Sequence, residues 1–336
     1  MIRFHHGLEA ISLQAGDLWA SAPAGATYRD TPAEELQSIV RDIEAGMPWR
    51  DAVAHRYASG NPWLLQIVTS PARDLFFRLF PPSPGAAILD VGAGWGQLAL
   101  PFARSGRSVT ALEPTPERLA FIRAAASQEG IARQIHFIQA DSFDVEFASR
   151  FDLVTCVGVL EWLPKFRAGE PRAVQADFLR RVRRLLNPGG SLVVGIENRL
   201  GLKYVLGAPD DHLGVPGIAV YDAGIASRKW LAYGGQILRS FTYTRFELEQ
   251  LLTEAGFRHL RFFAALPDYK LPERILPLDP PSTLDEYYLQ GNFASEHDGS
   301  NGHPLPFQDE LRSHYLSLAQ LGISHAFAPS YFITAS

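Results

Sequence analysis

The stretch "ILDVGAGWGQ" (residues 88–97) decides the fold. A short apolar run closes on Asp90, and glycines then fall at alternate positions, Gly92, Gly94 and Gly96, with Ala93 between the first two. The run reads as a buried strand, and "GQLALPFARSG" after it as a helix stopped at Gly106. A glycine loop between strand and helix exposes backbone N–H groups at the positive helix end and lets a ligand approach the main chain. A dinucleotide loop wants G-x-G-x-x-G. Here the third glycine comes one residue early, and Gln97 takes the place of the dinucleotide pattern's last glycine. The lysine of a phosphate-binding P-loop is missing. A plain turn without a ligand stays open on these residues alone.

Outward from this loop the chain alternates. "SVTALEP" reads as a second strand, "TPERLAFIRAAASQEG" as a helix entered through Thr115-Pro116, and "IHFIQAD" as a third strand. "FDLVTCVGVLEWL" gives a fourth strand and a turn, "RAVQADFLRRVRRLLNPGG" a helix, and "SLVVGIEN" a fifth strand. "TRFELEQLLTEAG" is a helix with a capping box from Thr244 to Glu247 and a stop at Gly256, "FRHLRFFAAL" a sixth strand and "HAFAPSYFITAS" a last one. Strands alternating with helices predict an α/β, Rossmann-like fold: a seven-stranded, mostly parallel sheet with helices on both faces. Before it, 33–57 predicts two helices broken near Gly46-Met47-Pro48, and 63–79 a further helix or two. Residues 1–84 are therefore expected to form an N-terminal helical cap and 85–336 the α/β domain. Two insertions, about 199–240 and 267–322, follow strands five and six, and insertions of this length in an α/β domain are usually functional or disordered.

The 336 residues carry a net charge of -5, with 46% hydrophobic and 20% charged residues. This balance suits a globular chain and supplies no global positive field for nucleic acid or anionic lipid. Arg180, Arg181, Arg183 and Arg184 read as the solvated face of a helix. The single cysteine, Cys156, excludes a disulfide framework and fits a cytoplasmic setting. No signal-peptide pattern opens the sequence, and no apolar run is long enough to span a bilayer. His5 and His6 read as surface residues.

"LDVGAGWGQ" resembles the first motif of class I S-adenosylmethionine-dependent methyltransferases. The likeness continues in order through Glu113 in "ALEPT", Asp141 in "QADSF", "FDLVTCVGVLEWLP" and "LLNPGGSLVV", covering about residues 85–200. It implies S-adenosyl-L-methionine as cofactor. The loop of Gly92, Ala93, Gly94 and Gly96 would pass close to the methionine and ribose, with Asp90 orienting it. Glu113, followed by Pro114, would accept both ribose hydroxyls. Asp141 would accept the adenine amine, flanked by Ser142 and Phe143, and Val157 and Glu161 would lie near the cofactor. A sulfonium ion also favours carboxylates and aromatic faces. His55-Arg56-Tyr57 and Trp63 are candidates for a lid.

Small-molecule members of the family often carry His after the fourth strand, in a pattern like L-E-H. This chain has Leu160-Glu161-Trp162 instead, so a base must come from elsewhere. The stretch "GIENRLGLKYVLGAPDDH" offers Glu197 after strand five and Asp210, Asp211 and His212 in the next loop. His212 is the candidate base for an alcohol acceptor, oriented by Asp210 or Asp211, with Tyr269 and Lys270 lining the same pocket. An Asp pair alone is weak as a cation site, so no metal is expected. Strings such as "IENRLGLKY" and "PDYKLP" resemble a bacterial subgroup associated with surface-polysaccharide and glycosyltransferase loci. This implies O-methylation of a small or carbohydrate-like (glycan) acceptor. N-methylation of a specialised-metabolite amine, and a non-catalytic regulatory protein that binds the cofactor, stay open beside it. The acceptor's identity and the oligomeric state are not fixed by these motifs, and no nucleic-acid partner is expected.

Overall fold

The computed structural model describes residues 31–234, 237–299 and 301–336, together with Tyr28 and the backbone of 2–4, 11–12 and 18–20. His5 and His6 lie outside the described residues. The chain divides into two compact units, one of residues 1–156 with 180–192 and one of residues 157–179 with 193–336.

In the first unit three strands come where the apolar runs fall: β1 (Ala87–Val91), β2 (Ser108–Leu112) and β3 (Ile135–Gln139). β4 (Phe151–Val157) supplies the fourth and β5 (Leu186–Glu197) begins here. β1 pairs in parallel with β2 on one side and β4 on the other, and β2 pairs in parallel with β3. The near-continuous burial of β1 and β4 follows from helices on both faces, which leave no wet side for polar alternation. Beyond β3 the backbone at 18–20 adds a further parallel strand, and 11–12 pairs antiparallel to it. The N-terminal segment thus opens with short strands before its helices.

Those helices lie at Ala33–Glu44, Trp49–Tyr57, Pro62–Thr69 and Leu75–Leu79. The first breaks at Gly46, whose φ of 103° only a residue without Cβ adopts freely. Leu36, Ile39 and Ile43 form its buried stripe at helical spacing. The helix Pro116–Gln128 starts at Thr115-Pro116 as the sequence predicts, but the cap differs. Thr115 Oγ1 makes no bond to its own helix and instead donates to the Tyr28 carbonyl at 3.2 Å. Long-range packing took the hydroxyl that a local rule assigns to the helix end.

In the second unit β6 (Leu260–Leu266) pairs antiparallel with β8 (Ser330–Ala335), which lies beside the end of β5. The helix Arg245–Glu254 has the full capping box of Thr244 and Glu247, and buries Leu248, Leu251 and Leu252. Besides the seven predicted strands and the two short N-terminal ones, the sheet holds a tenth, β7 (Arg274–Pro277), antiparallel to β6. It belongs to the second insertion, which also forms helices Ser282–Leu289 and Gln308–Gln320. The first insertion carries helices Leu202–Val205 and Ala223–Gly234. Among the described residues no helix is long and apolar enough to cross a membrane.

Candidate functional site

The glycine loop leaves β1 in the first unit with Gly92, Gly94 and Gly96 all at positive φ, 66°, 57° and 78°. Such values strain any residue with a Cβ. Gly96 is also held by packing, since a Cβ there would meet Ile122 Cγ1 at 3.1 Å and Leu100 Cγ at 3.2 Å. The loop is tied to the end of β2. Gly92 and Ala93 N–H both donate to the Leu112 carbonyl, and Gly94 N–H donates to Glu113 Oε2 at 2.9 Å. Glu113 Oε1 accepts from Thr115 N–H at 2.9 Å. The buried carboxylate is thus fixed by one bond per oxygen, and each oxygen keeps acceptor capacity for a second donor.

Asp90 is buried at the end of β1. Its Oδ1 accepts from Thr155 Oγ1 at 2.6 Å, while Oδ2 has no hydrogen-bond partner among the described residues. Burial pushes its pKa up to about 6, against the Thr155 hydroxyl, which stabilises the charge. Asp141, half-buried after β3, accepts from Phe143 N–H at 2.8 Å, which bends the chain so that Ser142 and Phe143 flank it. Arg181 lies over the Phe143 ring at 5.2 Å, so this arginine is no merely solvated charge. Pro114 is half-buried beside Glu113.

The pattern of glycines does not announce Trp95. Its buried ring stands edge-on to Tyr57 at 6.2 Å and to Phe121 at 5.0 Å. A large aromatic inside a glycine loop is the one signal the sequence offered. Of the expected lid residues, Tyr57 is buried and donates to Glu35 Oε2 at 3.2 Å, His55 and Arg56 are exposed, and Trp63 is half-buried.

The second unit gathers the other candidates. Glu161 follows β4, Glu197 ends β5, and His212 comes from the first insertion. Their side chains are 0%, 1% and 5% exposed, and one ligand atom of each lies within 4.8 Å of the others. His212 Nε2 stands 3.5 Å from Glu197 Oε2 and 3.8 Å from Glu161 Oε1, and Nδ1 stands 3.6 Å from Asp210 Oδ1. The ring packs edge-on against Trp162 at 5.0 Å. Asp210 also accepts from the N–H groups of His212 and Leu213, which fixes the turn.

Asp211 faces elsewhere. It takes Lys203 Nζ at 3.0 Å and Lys270 Nζ at 2.8 Å, and Lys270 also donates to Glu197 Oε1 at 2.6 Å. Burial opposes charge at each of these groups, but the opposite charges win. The two ammonium groups hold Asp211 well below the usual carboxylate range, and Asp211 and Glu197 hold Lys270 well above its ordinary value. Burial is likewise outweighed at His212, where Glu197 and Asp210 raise the pKa well above the ordinary imidazole value. Burial raises Glu161, which has no ammonium partner among the described residues. Lys203 is buried, a placement that the fold alone reveals. Tyr269 is buried against the β5 backbone, where a Cβ on Gly195 would meet Val157 Cγ1 at 2.8 Å and Tyr269 Cδ2 at 3.3 Å.

Residues 89–194 match a family described as a methyltransferase domain. The ubiquinone biosynthesis O-methyltransferase of Xanthomonas axonopodis pv. citri (strain 306) is 34% identical over 146 residues, covering 44% of this chain and 54% of that protein. The protein of the same name from Aeromonas salmonicida (strain A449) is 30% identical over 146 residues, with the same coverage of 44% and 54%. The chain spans about half the length of the curated relatives it matches. Among solved structures, the CcbJ methyltransferase of Streptomyces caelestis matches with a TM-score of 0.43 and 18% identity, over 61% of this chain and 89% of that one. The matched segment runs from β1 through most of β5 and contains the glycine loop, Glu113 and Asp141. Residues 89–194 are thus similar to the methyltransferase domain of class I, S-adenosylmethionine-dependent enzymes.

Proposed function

We propose that the protein transfers the methyl group of S-adenosylmethionine to a hydroxyl oxygen of a small or carbohydrate-like acceptor. On this reading the Glu113 carboxylate accepts the ribose hydroxyls, Asp141 accepts the adenine amine, and the loop from Asp90 to Gly96 carries the methionine end. Two backbone donors hold Glu113 in one orientation, which supports its use as a bidentate acceptor. The O-methyltransferase names of the curated relatives support oxygen as the receiving atom.

The observation that carries the proposal is the position of His212. Its imidazole packs on Trp162, next in sequence to Glu161, in the stretch where small-molecule relatives are expected to carry histidine. The first insertion thereby supports an imidazole at the end of β4 that the local sequence lacks. An alcohol needs a group to take its proton as the oxygen attacks, and methyl transfer otherwise needs mainly in-line alignment. Glu197 and Asp210 beside the ring would stabilise the imidazolium that results, and because they raise the pKa well above the ordinary imidazole value, turnover through the neutral ring should climb as pH rises. The single buried cysteine supports a reducing, cytoplasmic setting.

The test is formation of S-adenosylhomocysteine by the full chain across pools of sugar, phenol and amine acceptors, with wild type and His212→Ala compared. Turnover on a hydroxyl acceptor that falls by about 100-fold or more in the variant, with cofactor affinity kept, supports the proposal. Turnover on amines alone, indifferent to His212, contradicts it.

A further inference from the structure

Three side chains of the second unit converge with an unusual deficit. Glu161 Oε1 and Oε2 and Glu197 Oε2 are buried and accept no hydrogen bond from the described residues. His212 Nε2 stands 3.8 Å from Glu161 Oε1 and 3.5 Å from Glu197 Oε2, with no hydrogen bond between them. Native interiors satisfy buried carboxylate oxygens, so a group of this kind calls for a partner.

We propose that Glu161, Glu197 and His212 bind a divalent first-row cation. The spacing suits it. Ligand atoms about 2.1 Å from a tetrahedral centre stand about 3.4 Å apart. The observed 3.5 Å and 3.8 Å fall near that edge length, and the three ligand atoms lie within 4.8 Å of one another. One imidazole with two carboxylates is a mixed nitrogen and oxygen set, suited to Mn2+ or Zn2+ rather than to a soft ion. Three protein ligands leave a coordination position for a non-protein group.

The surrounding residues orient the ligands as metal sites require. Asp210 Oδ1 stands 3.6 Å from Nδ1, an anion on the side of the ring away from Nε2. Lys270 holds the other oxygen of Glu197 at 2.6 Å and leaves Oε2 for the cluster. Asp211 binds Lys203 and Lys270 and is thereby a positioning residue, not a ligand. The sequence alone leads to no metal being expected, because the Asp210-Asp211 pair lacks a third ligand; the set proposed here takes only His212 from that loop and draws its carboxylates from Glu161 and Glu197. The inference does not rest on methyl transfer, because binding is measured without donor or acceptor; with a cation bound, Nε2 is a ligand and not a base, and the cation would then lower the pKa of an acceptor hydroxyl in place of the free imidazole.

The experiment is titration of the metal-free full chain with MnCl2, followed by the electron paramagnetic resonance of free Mn2+. About one equivalent should bind per chain, Zn2+ should displace it, and Glu161→Gln and His212→Gln should each weaken binding by at least about 10-fold. Wild type also reports directly on geometry, since Co2+ at the site should give the intense visible bands of a four-coordinate ion. No binding of Mn2+ or Zn2+ at millimolar concentration overturns the proposal. So does binding that both variants leave unchanged, or a Co2+ spectrum that stays that of the aqueous ion. Failure here leaves the S-adenosylhomocysteine assay unaffected, and failure of that assay leaves this titration unaffected.

Discussion

Thr155 donates its hydroxyl to Asp90 Oδ1 at 2.6 Å, which joins β4 to β1 beneath the glycine loop. Burial raises Asp90 to about 6, so the carboxylate is charged at neutral pH despite its surroundings, and the hydroxyl is its main support. Thr155→Val removes that donor at nearly constant volume. The variant should lose about 1.5 to 3 kcal/mol at pH 8. The loss should shrink at pH 5, where Asp90 is protonated. Denaturant unfolding at the two pH values checks this, and an equal loss at both contradicts it.

Gly96 combines a positive φ with the Ile122 and Leu100 side chains close to its missing Cβ. Gly46→Ala meets the strained φ alone, because the space around it is open. Gly96→Ala should therefore cost about 1 to 3 kcal/mol more than Gly46→Ala, adding overpacking to strain. Thermal unfolding of the two variants measures the difference. Equal melting temperatures would mean that Ile122 yields freely.

Glu296 gives a pH signature in the second unit. Burial raises its pKa from 4.5 to about 7, although Tyr315 donates to it at 2.7 Å. The folded state therefore holds the proton more tightly than the unfolded one. As pH rises from 4.5 to about 7, the unfolded chain releases that proton first and stability falls. The full loss, about 3 kcal/mol, is present above pH 7 and absent below 4.5. Glu296→Gln keeps an acceptor for Tyr315 and removes the titration. Its melting temperature should gain on wild type between pH 5 and pH 8, and a constant offset would contradict the assignment.

Much of this fold was legible because its signals are local. The buried runs of β1 to β4, the breaks at Gly46 and Gly106, and the Thr244 and Glu247 box each depend on a few adjacent residues. What the sequence hid depends on distant partners. Thr115 gives its hydroxyl to Tyr28, and β7 exists only because β6 offers it an edge. The cluster of Glu161, Glu197 and His212 draws on three separate segments. His212 and Asp210 could be marked as candidates from residue type, but not the turn that sets Asp210 behind the ring and aims Asp211 at two lysines.

Calorimetric titration of S-adenosylhomocysteine into the full chain, alongside Glu113→Ala, tests most directly that the cofactor is held at the ends of β1 to β3. The wild type should bind, and the variant should lose affinity by at least about 100-fold, the worth of two charge-assisted hydrogen bonds. Glu113→Gln, which keeps one acceptor oxygen and the side-chain shape, should fall between them. Equal affinity in wild type and Glu113→Ala would contradict the account at its centre.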